Sequence, residues 1–152
     1  MTRLAVRLLS AASMCVALLA TGGCGTTSPD VAGYRQQASL TVGTAVSELA
    51  TTRLYLMQLQ HGDVFHASVT TQIRYRDESL GSGAQSFGSL NPPVGARALY
   101  QRCNTLLGDA QDLVAEVRIA VHRDDTARYP RLVRELADLG KKLERLESRL
   151  PS

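Results

Sequence analysis

The side chains best suited to bind a metal are His61, Asp63 and His66, which stand close together in the chain. Imidazole and carboxylate groups are common ligands of zinc and copper. The two histidines are five positions apart across a predicted turn, whereas ligands on one helical face would be about three or four apart. Because no further ligand follows nearby, we interpret this segment as a surface turn and expect no metal and no cofactor.

Catalytic signatures are missing from the sequence. It has no Gly-rich phosphate loop, no nucleophile elbow and no HExxH zinc motif. The carboxylates of Asp77, Glu78, Glu144 and Glu147 stand among arginines on faces that we predict to be wet. Paired acid and base catalysis needs carboxylates in unlike, partly buried environments. We therefore expect that the protein is not an enzyme.

Cysteine chemistry rests on Cys15, Cys24 and Cys103. Cys103 falls on the apolar stripe of a predicted helix, where a cysteine behaves as a small buried hydrophobe. Cys15 lies in a leader that we expect to be removed, so Cys103 has no partner for an internal disulfide if Cys24 is modified. An intermolecular disulfide and a reactive thiol remain open alternatives for Cys103.

Residues 1–23 have the composition of a cleaved signal peptide. Arg3 and Arg7 supply positive charge, and an apolar segment from Leu8 to Ala20 follows them. The thirteen residues of that segment would make about 20 Å of helix, short of the roughly 30 Å of a bilayer core. We therefore expect an export signal and not a permanent membrane span.

Cys24 closes this leader. The stretch from Leu18 to Cys24 resembles the lipobox of bacterial lipoproteins, in which an aliphatic residue and two small residues precede an invariant cysteine. Gly22, Gly23 and Cys24 match that pattern, and Thr21 stands where leucine is usual. The resemblance implies a diacylglycerol thioether on Cys24, cleavage before it, and acyl chains that hold the protein in the lipid bilayer on the extracytoplasmic side of the cell membrane. Ordinary cleavage between Gly22 and Gly23 is the alternative, and it would release the protein.

The chain beyond the leader is predicted to hold one domain. Residues 24–33 comprise Cys24 and a flexible tether punctuated by glycine and proline, and residues 34–152 form the domain. Without Arg3 and Arg7 the chain holds 15 basic and 14 acidic side chains, so no nucleic-acid partner is expected. The strong preference for arginine over lysine is typical of a GC-rich genome, such as those of high-GC Gram-positive bacteria.

Apolar residues in this domain recur at the period of amphipathic helices. The spacing predicts helices over about residues 31–60, 63–90, 94–123 and 126–150. Asp63 is the predicted N-cap of the second helix, and Leu54 and Phe65 are predicted on buried faces. Short connections between such segments favour an all-α fold, an antiparallel up-down bundle of three to four helices.

Two surfaces stand out in these helices. Arg74, Tyr75 and Arg76 form a possible interaction surface for a protein partner, because Tyr and Arg are favoured at interfaces; a solvated face is the alternative. The C-terminal helix carries leucines at heptad spacing, which leaves a weak homo-oligomer open. Residues 126–152 also hold seven basic and four acidic side chains, which near a membrane would favour anionic lipid or an anionic wall polymer.

Together these features predict a membrane-anchored cell-envelope lipoprotein. Its bundle would act as a non-catalytic interaction or structural module at the outer face of the membrane, with an unidentified protein partner in the envelope. The alternative is a carrier that holds a small apolar ligand in a cavity of the bundle. Tyr55, Met57, Phe65 and Tyr100 are the predicted lining of that cavity.

Overall fold

Four long α-helices and two short 3-10 turns make up the part of the chain that the computed structural model describes, residues 30–151. No strand occurs within that range. The leader, Cys24 and most of the predicted tether lie outside it. The helices are α1, Val31–His61; α2, His66–Gly88; α3, Arg97–His122; and α4, Tyr129–Glu147, with 3-10 turns at Val94–Ala96 and Thr126–Arg128.

Successive helices run antiparallel. At one end of the bundle, the start of α3 meets the end of α2, where the Tyr100 hydroxyl donates a hydrogen bond of 2.9 Å to the carbonyl oxygen of Gly88. At the other end, the start of α2 meets the end of α3, where His66 Nε2 donates across 2.9 Å to the Val121 carbonyl oxygen. Helix α4 closes the bundle by packing on α1 and α3. The predicted all-α helical bundle is confirmed.

The core is filled by side chains from all four helices, and each helix contributes one stripe. The α4 stripe matches the prediction, since all of its leucines up to the last turn are buried. The 3-10 turn before α4 places Pro130 in the first turn of the helix. Proline is tolerated there because the N–H groups of a first turn have no hydrogen-bond partner within the helix. The largest fully buried side chains are Tyr34, Tyr129, Phe87, Leu49, Leu56, Ile73, Leu107, Leu132, Leu136 and Leu143.

The buried stripe of α1 differs from the predicted one. Leu54 is 53% exposed, and Leu56 is buried in its place. The reason is that Glu48 and Thr52, two polar residues, occupy core positions on α1. Apolar spacing alone does not count polar residues, so it predicted the stripe at the wrong angle around the helix.

The start of α2 also differs. Gly62 adopts a left-handed conformation with φ 75° and ends α1, and the backbone N–H of Asp63 donates to the Gln58 carbonyl oxygen at 3.0 Å. Asp63 therefore belongs to the C-terminal cap of α1. Helix α2 begins at His66 instead, and Phe65 stands at its N-cap with 87% of its surface exposed. The predictions of Asp63 as an N-cap and of Phe65 as a core residue were wrong.

The start of α1 shortens the predicted tether. Asp30 caps the helix, because its side chain accepts a hydrogen bond of 2.7 Å from the backbone N–H of Gly33. Residues 31–33, where the predicted tether and the predicted first helix overlap, therefore form the first turn of α1. Within residues 30–151, no helix combines the length and the apolar character needed to cross a membrane.

Candidate functional site

The predicted interaction surface on α2 is split by the structure. Arg74 and Tyr75 are exposed, and Tyr75 keeps 59% of its surface open to solvent. Arg76 turns toward α1, where its Nη1 atom donates to Glu48 Oε2 at 3.0 Å. The Arg76 guanidinium also lies over the Tyr75 ring, 5.2 Å from its centroid. Arg76 thus links an exposed aromatic ring to a buried carboxylate.

Glu48 was missed by the sequence prediction. Only 7% of its surface is exposed, and its second carboxylate oxygen accepts a hydrogen bond of 3.0 Å from Ser79 Oγ. A buried carboxylate is stable only when it is paired and hydrogen-bonded, and both partners come from α2. The position of Glu48 beside Leu49 and three residues after Ala45, both buried, is the signal that could have indicated its burial.

A second ion cluster ties α3 to the start of α4. Glu116 accepts hydrogen bonds from Arg128 and Arg131, and Arg131 also donates to Glu135 at 2.8 Å. Hydrogen bonds from Arg131, followed by its charge and by the contacts of Arg128, lower the pKa of the Glu116 carboxyl. The cluster is a structural clamp, since both arginines are engaged within the chain.

The histidines do not converge. His66 Nε2 contacts the Val121 carbonyl oxygen and lies 3.9 Å from Asp124 Oδ1, so its ring is directed at the end of α3. His61 lies in the last turn of α1, ahead of Gly62. Among the residues described, no group of three or more histidine, cysteine or acidic side chains is placed to hold a metal ion.

Cys103 lies in the core of the bundle and is fully buried. Burial raises the pKa of its thiol to about 11, and burial likewise raises the pKa of the neighbouring Tyr34 hydroxyl to about 12. A thiolate is the reactive form of cysteine. The prediction of a small buried hydrophobe is confirmed, and the thiol in this environment is a poor nucleophile.

The residues predicted to line a ligand cavity are divided between the two ends of the bundle. Tyr100 is at the end where α3 begins, where its ring stacks on Phe87 with centroids 6.2 Å apart. Phe65 is at the opposite end of the bundle and points into solvent. Tyr55 and Met57 are on α1 and only partly buried. These side chains therefore do not surround one interior cavity.

The leucine stripe of α4 is occupied within the chain. The leucines from Leu132 to Leu146 are buried against α1 and α3, and Leu150 is half-buried. Pairing two copies through this stripe would require α4 to leave its own bundle. Within residues 129–147, no row of leucines is therefore left exposed for the self-association that the heptad spacing left open.

A basic surface lies where α1 and α3 begin and α4 ends. Three adjoining surface clefts there have volumes of about 290, 360 and 580 Å³. Among residues 30–151, no aspartate or glutamate lines them. The basic side chains in their lining, here called the basic band, are Arg35, Arg102, Lys142, Arg145 and Arg149.

No protein-family model matches the chain, and neither does any curated protein or solved structure. The functional inference therefore depends on the chemistry of the chain's own residues. Two surfaces of the bundle have distinctive chemistry: the Arg74–Tyr75 face of α2, which the sequence indicated, and the basic band. The sequence indicated only the part of the band that lies on α4.

Proposed function

We propose that the chain is a membrane-anchored lipoprotein of the cell envelope whose helical bundle is a non-catalytic module that docks a protein partner at the outer face of the membrane. The anchor would be acyl chains on Cys24. This residue lies outside the described range, so the support for the anchor is the lipobox-like stretch from Leu18 to Cys24 and the export-type leader before it.

The anchor would keep the bundle close to the bilayer. Asp30, which caps α1, follows Cys24 by six residues, a segment that reaches at most about 20 Å when fully extended. Multiple acyl chains convert reversible membrane binding into stable anchoring. A partner would therefore meet the bundle within a short distance of the membrane surface.

The observation that carries the docking function is the state of Tyr75. Its ring is 59% exposed, yet the Arg76 guanidinium lies over it at 5.2 Å from the centroid. Arg76 is itself fixed by its hydrogen bond to Glu48. An exposed aromatic ring that a fixed cation contacts on one face has less conformational freedom to lose on binding than an uncontacted ring, which favours its use as an interface anchor.

Acylation is tested on the membrane fraction of cells that express the full chain. Intact-mass analysis should find acyl chains on Cys24, and Cys24→Ala should lose both the acyl chains and membrane residence. Cys103→Ala is the matched control and should keep both, because Cys103 is buried in the core. Recovery of unmodified, freely released wild-type protein would reject the anchor.

Docking is tested by placing a photo-crosslinking residue at position 75 of the anchored protein. A discrete protein adduct should form there and should be lost in the Cys24→Ala background. Position 112 is the control, because Asp112 is exposed on α3, a different helix. Failure to form an adduct at position 75, or the same adducts at both positions, would contradict a partner site on this face of α2.

A further inference from the structure

Five of the seven basic residues in the C-terminal region fall into two groups. Arg128 and Arg131, at the start of α4, are both hydrogen-bonded to Glu116. Lys142, Arg145 and Arg149, toward its end, are exposed and have no ion-pair partner among residues 30–151. Of the other two basic residues in this region, Lys141 lies 4.0 Å from Asp138 and Arg134 is exposed on α4 outside the band. The unpaired positive charge is therefore concentrated, with three side chains, at the C-terminal end of α4.

Other helices add to the positive charge at that end. Arg35 in α1 and Arg102 in α3 are exposed, and within the described range neither has a carboxylate at ion-pair distance. Arg102 lines one cleft with Lys142 and Arg145 and the adjoining cleft with Arg35 and Arg149. The five side chains thus form one continuous surface assembled from three helices and the turn that follows α4.

Asp30, Glu144 and Glu147 are the carboxylates that adjoin this surface in the sequence, and none of them lines its clefts. Glu147, in the last turn of α4, lies against Gly43 of α1. A Cβ atom built on Gly43 would be only 2.6 Å from Glu147 Oε1. Asp30 accepts a hydrogen bond from the backbone N–H of Gly33, and Glu144 is exposed. Five basic side chains surround clefts that no carboxylate of residues 30–151 lines, and such a surface attracts polyanions.

The basic band lies at the entry point of the proposed anchor. Val31 and Ala32, the first residues of α1, line the same cleft as Arg35 and Arg149. Beside them the 3-10 turn holds Val94, which is 96% exposed. The chain that leads back to Cys24 therefore leaves the bundle from within the basic surface.

We propose that the basic band binds the anionic phospholipid headgroups of the membrane to which Cys24 is anchored. The band would rest on the bilayer, and the opposite end of the bundle, with Phe65, would point away from it. A basic side chain close to an anionic membrane surface strengthens binding by roughly five-fold at moderate salt. This orientation rests on the proposed anchoring, but the binding itself does not require the acyl chains.

The test therefore uses residues 25–152 without lipid, which contain every core residue that the structure describes. Binding is measured by co-sedimentation with vesicles of phosphatidylcholine alone and of phosphatidylcholine mixed with phosphatidylglycerol. The test variant is Arg102→Gln/Arg145→Gln/Arg149→Gln. The matched control is Arg53→Gln/Arg123→Gln/Arg134→Gln, which removes the same charge from exposed arginines outside the band. Far-UV circular dichroism establishes that both variants are folded.

The expected result is binding that requires phosphatidylglycerol, falls with added salt, and is weakened by on the order of 100-fold in the test variant but only slightly in the control. Equal weakening in both variants would overturn the proposal, because it would indicate net charge alone. Absence of phosphatidylglycerol-dependent binding would also overturn it. Saturable binding of inorganic phosphate or a soluble anionic wall polymer without vesicle binding would assign the clefts to those anions and likewise overturn it. Because no acyl chain is present, failure here is distinguishable from failure of the Cys24 anchor.

Discussion

Arg76 of α2 and Glu48 of α1 form a largely buried ion pair across the bundle, with Nη1 and Oε2 3.0 Å apart. Their side chains retain 22% and 10% of their exposure, respectively. Arg76 can therefore reach water more easily than Glu48 can, and the two partners should respond differently to removal of the other.

Arg76→Met should lower the free energy of unfolding by about 2–4 kcal/mol, because it leaves the Glu48 carboxylate buried without its cation. Glu48→Leu should lower the free energy of unfolding by less, since an Arg76 side chain without its partner can extend to solvent. The double variant Glu48→Leu/Arg76→Leu should return to within about 1 kcal/mol of wild type. Urea unfolding followed by circular dichroism measures all three.

Arg74→Met is the control for the preceding variants. Its side chain is 67% exposed and lies 3.9 Å from Glu78, so the change should stay within about 0.5 kcal/mol. A double variant as unstable as Arg76→Met would contradict this explanation. It would mean that stability is lost through poorer packing and not through an unpaired Glu48 carboxylate.

The bundle itself was predictable because its apolar periodicity is strong where the core is apolar. Leu132, Leu136 and Leu143 in α4 are buried as their spacing predicts. Helix α1 was harder, because its core face includes Glu48 and Thr52. Which polar residues are buried depends on partners that lie far away in sequence, and Glu48 finds its partners in Arg76 and Ser79. Those partners become visible only when the helices are packed.

The Arg74–Tyr75 face and the basic band were also only partly predictable from the sequence. Sequence composition indicated Arg74 and Tyr75 as exposed and basic residues as abundant near the C-terminus. It could not show that Arg128 and Arg131 are paired with Glu116 and Glu135, whereas Arg145 lies beside a second cation, Arg102. That distinction depends on which helices are neighbours at each end of the bundle.

Glu116 should make the stability of the bundle sensitive to acid. Its folded-state pKa is lowered, mainly by the hydrogen bond from Arg131, from an ordinary value of 4.5. The ionised Glu116 carboxylate therefore contributes fully to the free energy of unfolding at pH values above its ordinary pKa. This contribution is lost as the pH falls through the lower folded-state pKa. Between about pH 6 and pH 3, Glu116→Gln should lose stability less steeply than wild type. Thermal melts across that range measure the slopes.

Asp109→Asn serves as the comparison for Glu116→Gln. Asp109 is exposed on α3 and has no ion-pair partner within residues 30–151. The stability of Asp109→Asn should therefore fall with decreasing pH as steeply as that of wild type. Parallel slopes for wild type and Glu116→Gln would show that the clamp on Glu116 does not contribute to the acid response.

Cys103 should be protected from thiol reagents in the folded protein. The side chain is fully buried, and burial raises its pKa to about 11, so at about pH 8 the thiol is both inaccessible and protonated. Labelling should be at least about 1,000-fold slower in native protein than in urea, because it requires opening of the core. Mass spectrometry of timed samples gives both rates. Similar rates in the two conditions would contradict a closed core at this position.

The hydroxyls of Tyr34 and Tyr100 offer a matched comparison at one end of the core. The Tyr34 hydroxyl is buried with no hydrogen-bond partner among residues 30–151, whereas the Tyr100 hydroxyl donates to the Gly88 carbonyl oxygen at 2.9 Å. Leaving a buried polar group unpaired costs about 1–3 kcal/mol, and a typical hydrogen bond contributes about 1 kcal/mol.

Replacement of either tyrosine by phenylalanine keeps the ring that packs on Phe87 and removes only the oxygen. Tyr34→Phe should therefore leave the free energy of unfolding unchanged or raise it by up to about 1 kcal/mol, whereas Tyr100→Phe should lower it by about 0.5–1.5 kcal/mol. Urea unfolding of the two variants side by side measures the difference. A loss in Tyr34→Phe as large as that in Tyr100→Phe would mean that the Tyr34 hydroxyl is hydrogen-bonded, for example to a buried water molecule, and would assign a polar contact to the centre of this end of the bundle.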